Sequence, residues 1–242
     1  MRRWLLQEKR TQAWDTPINS VNAIWAFLSG NGQVLNAGNN QPAVLAVDGS
    51  PLDLPTATAS LGYVKTAQSY NGEKTFTAEK TSEGTSWGAV YAQFLQQASE
   101  IAASQSGITV KREVLTAQGP LNATLSEREQ LTANSLAVGD RIKIRITIET
   151  TRDLDFVQVV DRRAACMEPV RQLSGYQNGA YVSPKDHATH YYYGGLAKGK
   201  HVIETEYYID REGRYESGIC TVGSAYAPEF RATAPSMTFN IK

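Results

Sequence analysis

Within the stretch Gly139–Glu168, apolar and polar residues alternate strictly from Ile142 to Glu149: Ile142, Ile144, Ile146 and Ile148 are separated by Lys143, Arg145, Thr147 and Glu149. A period of two places the four isoleucines on one face of a half-buried antiparallel strand. Thr150 to Asp155 then reads as a polar turn, and Phe156 to Val160 as a second, more continuously apolar strand with deeper burial. Shorter runs of strand type recur along the chain at Ala43–Val47, Ala59–Val64, Lys74–Glu79, Ile108–Leu115 and Asn122–Leu125. They continue at Gly179–Val182, Tyr191–Tyr193, His201–Ile209, Gly218–Ala225 and Ser236–Ile241. Turn residues such as Asp48-Gly49 and Asn71-Gly72 fall between them at the spacing of an all-β sandwich.

Two stretches depart from this period. Residues 1–30 read as helical: Asp15-Thr16-Pro17 supplies a cap and a first-turn proline, apolar residues from Ile18 to Leu28 recur at three and four, and Ser29-Gly30 stops the run. With Trp4, Trp14 and Trp25 they hold more apolar area than two short helices can bury against each other, so they should dock on a larger body. Residues 31–41 form a turn-rich linker. Trp87 to Ala103 fits a helix by length and alanine content, but the alternation of its first half favours a buried strand there. Residues 116–138 are mainly a polar connector.

Composition adds exclusions. The chain has 242 residues, with 24 basic and 24 acidic side chains. Local charge is small too: residues 1–30 carry four basic against two acidic, residues 31–115 five against seven, and residues 116–242 equal numbers. No field favours nucleic acid or an anionic membrane. No segment has the length of apolar sequence that a membrane helix requires. MRRWLLQEKR lacks the apolar core and cleavage site of a signal peptide, and reads as the interior of a longer chain.

Candidate chemistry is sparse. Gly84-Thr85-Ser86-Trp87-Gly88 matches a hydrolase nucleophile elbow, but no β-α alternation precedes it and the three histidines lie far downstream, so a turn into a strand is expected. His187 and His190 could be two metal ligands; their flanks read as a surface loop entering a strand, and zinc needs three or four converging groups. Cys166 and Cys220 sit on apolar strand patterns, as buried free thiols or as one disulfide; Arg162 and Arg163 are the nearby cations that would lower the Cys166 pKa, but no histidine is placed by sequence to act as its base. Glu204 and Glu206, with Asp210 nearby, have the chemistry of paired glycosidase carboxylates, yet beside Lys198, Lys200 and Arg211 they read as a solvated charge ladder. Tyrosines at 191–193, 207–208, 215 and 226 suit either a sugar-binding platform or strand packing, with packing favoured. The residue reading therefore assigns no catalytic, cofactor-binding or metal-binding residue.

The C-terminal third carries a more specific signal. DFVQVVDRRAACMEPV followed by GKHVIETEYYIDREGRYESGICTVGSAYAPEF resembles the C-terminal macroglobulin-like, or receptor-binding-like, domain of bacterial alpha-2-macroglobulins. The matching positions are Asp161, Glu168-Pro169, Gly213-Arg214-Tyr215 and Ala225 to Glu229. KRTQAWDTPINSVNAIWAFL resembles the last helices of the family's helical thioester-type domain, and TSWGAVYAQF a strand of its CUB-like domain. The resemblance implies a mainly β chain with two β-sandwich-like domains and a short helical N-terminal segment. Residues 1–30 would end the helical domain, 31–117 form an incomplete CUB-like domain, and 118–242 the macroglobulin-like sandwich.

It further implies a non-catalytic structural and interaction fragment of a protease trap in the cell envelope, periplasmic or extracellular. Its partners would be other domains of the parent chain and, through the full-length protein, a target protease. No nucleic acid or cofactor is implied. The thioester motif is missing: Cys166-Met167-Glu168 is followed by Pro169 where the family has glutamine. An incomplete CUB-like domain would leave a sheet edge exposed and open to oligomerisation. The alternative from another class is a carbohydrate- or surface-binding β-sandwich module.

Overall fold

A computed structural model describes residues 4–5, 8, 14, 16–29, 43–55, 64–82, 88–121 and 135–242. Residues 16–93 form one compact unit and residues 94–242 another.

The first unit begins with helix α1, Pro17–Leu28. Its start is chemical: the Thr16 hydroxyl accepts the Asn19 N–H at 3.2 Å, and Pro17 needs no N–H donor in the first turn. Its apolar side stays open, with Ile18 71%, Val21 63% and Trp25 72% exposed. Strands β1 (Val44–Val47), β2 (Ser50–Pro51) and β3 (Phe76–Glu79) make an antiparallel sheet in the order β2-β1-β3. Asp48 and Gly49 join β1 to β2 with φ of +49° and +78°, the left-handed pair of a tight hairpin turn. The Asp48 carboxylate accepts the Thr75 N–H and the Lys74 ammonium at 2.9 Å each, which hold its pKa below the ordinary value. The strand expected at Ala59–Val64 falls on residues outside those described, except for Val64.

Residues 88–97 are irregular and exposed, so the expected strand does not form there; a single 3-10 turn, Ala98–Glu100, follows. Among the described residues, the alternating stretch from Gly88 to Phe94 meets no partner ladder, and Trp87 lies outside those residues.

The second unit is a β-sandwich. It contains β4 (Ser104–Ser106), β5 (Ile108–Thr116), β6 (Gly119–Pro120), β7 (Ser135–Leu136), β8 (Arg141–Thr150) and β9 (Leu154–Arg162). These are followed by β10 (Met167–Pro169), β11 (Gly175–Gln177), β12 (Ala180–Pro184), β13 (Ala188–Leu196) and β14 (Gly199–Ile209). The last four are β15 (Gly213–Glu216), β16 (Cys220–Ser224), β17 (Arg231–Ala234) and β18 (Thr238–Ile241). One sheet runs β10-β14-β8-β5-β6 and the facing sheet β11-β12-β13-β9-β16-β17-β4, both antiparallel. A third sheet, β15-β18-β7, includes the parallel pair β18–β7.

Strand β8 is central to its sheet and buries all four isoleucines, at 0–1% exposure. Ile108, Val110 and Val114 of β5, Ile203, Tyr207 and Ile209 of β14, and Val157 and Val159 of β9 join the same core. Each fully buried branched side chain contributes about 1.5–3 kcal/mol. Two expectations need correction. Strand β5, expected within the domain ending at residue 117, pairs with β8 from Ile108↔Thr150 to Leu115↔Lys143 and belongs to the sandwich. The expected continuous burial of Phe156–Val160 is replaced by alternation, because only one face of the strand meets the core and takes Val157 and Val159; Phe156, at φ +55°, is 44% exposed.

Candidate functional site

The alternation that builds the core also carries two charged residues into it. In β5 the inward positions are Ile108, Val110, Arg112 and Val114; in β9 the inward run Val157, Val159 ends at Asp161. The two side chains are 3% and 0% exposed, and Arg112 Nε lies 2.6 Å from Asp161 Oδ1. Arg112 Nη1 donates to Ser217 Oγ at 2.9 Å, and Nη2 to the carbonyls of Ser217 at 3.1 Å and Arg162 at 3.2 Å. Ser217 is fully buried, and its Oγ also accepts the Met237 N–H at 2.9 Å. Burial pushes the Asp161 carboxyl upward, with the Arg112 guanidinium pulling against it. Asp161 Oδ2 has no hydrogen-bond partner among the described residues. Asp161 is one of the positions that carry the family resemblance, whereas Arg112 belongs to no such motif. The signal was present: a cation on the apolar side of an alternating strand requires a buried partner.

The cluster is shielded from solvent, with Arg112 and Asp161 side chains 3% and 0% exposed and Ser217 fully buried. Its chemistry is the joining of two sheets, as one guanidinium satisfies acceptors on β9 and on the segment between β15 and β16.

The other candidates lie apart. The serine motif falls on residues outside those described, apart from Gly88. His187 is exposed in the turn between β12 and β13, and His190 stands on β13, with ring centroids 6.4 Å apart. Among the described residues no group of three or more His, Cys, Asp or Glu side chains is placed to hold a metal. His190 Nδ1 lies 3.4 Å from the Gln158 amide and its ring stacks on Tyr192; burial and then the neighbouring His187 lower its pKa.

Cys166 and Cys220 are free thiols, fully buried. Burial raises Cys166 to about 11, and Cys220 goes well above the ordinary thiol range for the same reason. The activation considered for Arg162 and Arg163 does not arise: the cation opposing burial at Cys166 is Arg211, and burial wins.

Glu204 and Glu206 do form a charge ladder, with different partners from those adjacent in sequence. Glu204 bonds Lys143 at 2.9 Å and Arg145 at 2.7 Å, and Glu206 pairs with Arg141, all on the neighbouring strand β8. These hydrogen bonds lower the Glu204 pKa. The tyrosines divide by strand parity. Tyr191, Tyr193 and Tyr207 are buried, while Tyr192 and Tyr208 face out. Tyr192 is in register with Tyr181, and Tyr181 with Tyr176, but the last two rings meet edge-on at 73° and form no flat platform.

The resemblance markers are architectural. Glu168-Pro169 lies in edge strand β10, opposite Tyr208 and Tyr207. The Tyr215 hydroxyl donates to the Glu212 carbonyl at 2.9 Å, closing the turn into β15. Ala227, in the connection between β16 and β17, is fully buried and its carbonyl accepts the Phe230 N–H.

A family model for the bacterial alpha-2-macroglobulin MG10 domain matches residues 107–229. The chain belongs to this family. The matched stretch starts just before β5 and contains Arg112, Asp161 and Ser217, so the ionic cluster lies inside the MG10 region. No curated protein sequence matches. Among solved structures, trypsin-activated alpha-2-macroglobulin from Escherichia coli matches 98% of this chain and 16% of its own, at 11% identity and a TM-score of 0.53. That likeness shows the fold. Salmonella alpha-2-macroglobulin reacted with methylamine matches over 58% of this chain and 10% of its own, at 20% identity and a TM-score of 0.45. The chain thus spans about a tenth of the Salmonella protein and a sixth of the E. coli one.

Proposed function

We propose that this chain is a non-catalytic structural and interaction part of a bacterial macroglobulin-like protease trap that works outside the cytoplasm. The MG10 match over residues 107–229 carries this reading. The interior supports it: its ionisable groups are spent on joining strands, and both thiols are buried with raised pKa values. Residues 1–30 then end a helical domain whose apolar surface is the open side of α1. Residues 31 to about 106 supply part of a CUB-like domain, and the remainder is the macroglobulin sandwich. The partners are other domains of the parent chain and, through the full-length protein, a protease. Strand β3, at the end of its three-stranded sheet among the described residues and exposed at all four positions, offers the edge for pairing with a further strand.

The test compares the parent protein, the parent lacking residues 107–242, and the 242-residue chain, each incubated with trypsin. Cleavage of a large protein substrate and of a small peptide is followed. The parent should block cleavage of the large substrate and spare that of the small one, while the truncated parent and the isolated chain should block neither. Undiminished protection by the truncated parent, or hydrolysis by the isolated chain, would overturn the reading.

A further inference from the structure

Among the described residues, the β15-β18-β7 sheet shares no ladder with either larger sheet. Its apolar residues Leu136, Phe239 and Ile241 pack into the common core. Where it leaves the sandwich, the chain passes through Ser217 after β15 and Met237 before β18. These two residues continue the sheet's pairing: the Ser217 N–H donates to the Met237 carbonyl at 2.7 Å and the Met237 N–H to Ser217 Oγ at 2.9 Å. Arg112 reaches this joint from β5 and bonds both oxygens of Ser217, while Asp161 holds the guanidinium from β9. Next in sequence, Gly218 adopts φ +76°, and a Cβ there would lie 2.8–2.9 Å from Arg162 atoms, backbone included. The joint is therefore seated against β9 with no slack.

We infer that Arg112, Asp161 and Ser217 form a conformational latch. It clamps the β15-β18-β7 sheet to the sandwich, and when it is cut that sheet opens as a unit while the two larger sheets stay closed. The argument rests on connectivity. The guanidinium donates to both elements, so its position ties the joint to β5 and β9 together. The cores of β8, β9 and β13 have ladders on both sides and do not depend on the joint. Elements with fewer ladder partners open at lower free energy than central strands. The spare oxygen Asp161 Oδ2, buried and without a partner among the described residues, leaves Arg112 Nε as the bond that orients the carboxylate.

The test is amide hydrogen exchange on the whole chain. Ser217→Ala removes the hydroxyl that binds both Arg112 and the Met237 N–H, and keeps the ion pair. Exchange should accelerate about tenfold or more in residues 213–219 and 236–241. Residues 141–150 and 188–196 should exchange as in the wild type. Asp161→Asn should enlarge the effect in the same segments first. If that variant fails to fold, Ser217→Ala alone decides. Equal acceleration in every strand, or no change in the two joint segments, would overturn the latch.

Discussion

The Arg112–Asp161 pair allows a quantitative test of how the sandwich is held together. Arg112→Met keeps the bulk of the side chain but strips Asp161 Oδ1 of its donor, in a carboxylate whose Oδ2 already has no partner among the described residues. It also bares the buried carbonyls of Ser217 and Arg162. Removing one member of a buried ion pair costs about 3–5 kcal/mol. A domain of this size has roughly 5–15 kcal/mol in total, so at a mid-range value of about 10 kcal/mol about a third to a half of its stability should go. Asp161→Leu should cost a similar amount by leaving a buried guanidinium with only neutral acceptors. In the double variant both charges are gone, and only the carbonyls that lost Arg112 remain unsatisfied, at about 1–3 kcal/mol each. The double variant should therefore lie about 2–6 kcal/mol below the wild type, less than the roughly 6–10 kcal/mol sum of the singles. Urea unfolding followed by far-ultraviolet circular dichroism measures all three. Additive losses, or single losses below about 1 kcal/mol, would refute the claim that the pair is desolvated and coupled.

Three further outcomes follow from named contacts. Cys166 and Cys220 should resist alkylation at pH 8 in the folded chain and react readily in urea, because burial both shields them and raises their pKa; rapid native labelling of either would contradict their burial. Gly218→Ala forces a side chain into φ +76° and against the Arg162 backbone, so thermal melting should show a loss of about 2 kcal/mol or more. Glu204 has a folded pKa below its unfolded one, because Lys143 and Arg145 hydrogen-bond its ionised form. Its stabilisation is present above the unfolded pKa and disappears as pH falls through the folded value. Glu204→Gln should therefore lower the melting temperature slightly at neutral pH and low salt. The difference should vanish in strong acid and shrink in high salt, since the side chain is over a third exposed.

Features that depend on a few neighbouring residues were legible in advance. The isoleucine alternation of β8, the Thr16-Pro17 start of α1 and the Asp48-Gly49 turn each follow from local backbone preference or a period of two. The resemblance to the family's C-terminal macroglobulin-like domain was legible for a similar reason, since its markers are short strings at turns and strand ends. Tertiary structure alone decided which strand lies beside which. Contiguity, which is all that a sequence displays, groups Ile108–Leu115 with the preceding segment, whereas its ladder joins it to Lys143–Thr150. The partners of Glu204 changed likewise, from lysines close in sequence to Lys143 and Arg145 across the sheet. Gly88 to Phe94 has alternation but no ladder among the described residues, and so is no strand. Arg112 shows the boundary most plainly. Its parity announced a buried cation, but only the packing of two sheets brought Asp161, 49 residues away, within 2.6 Å. A one-dimensional pattern states which face a side chain takes, and the pairing of distant strands determines what it meets there.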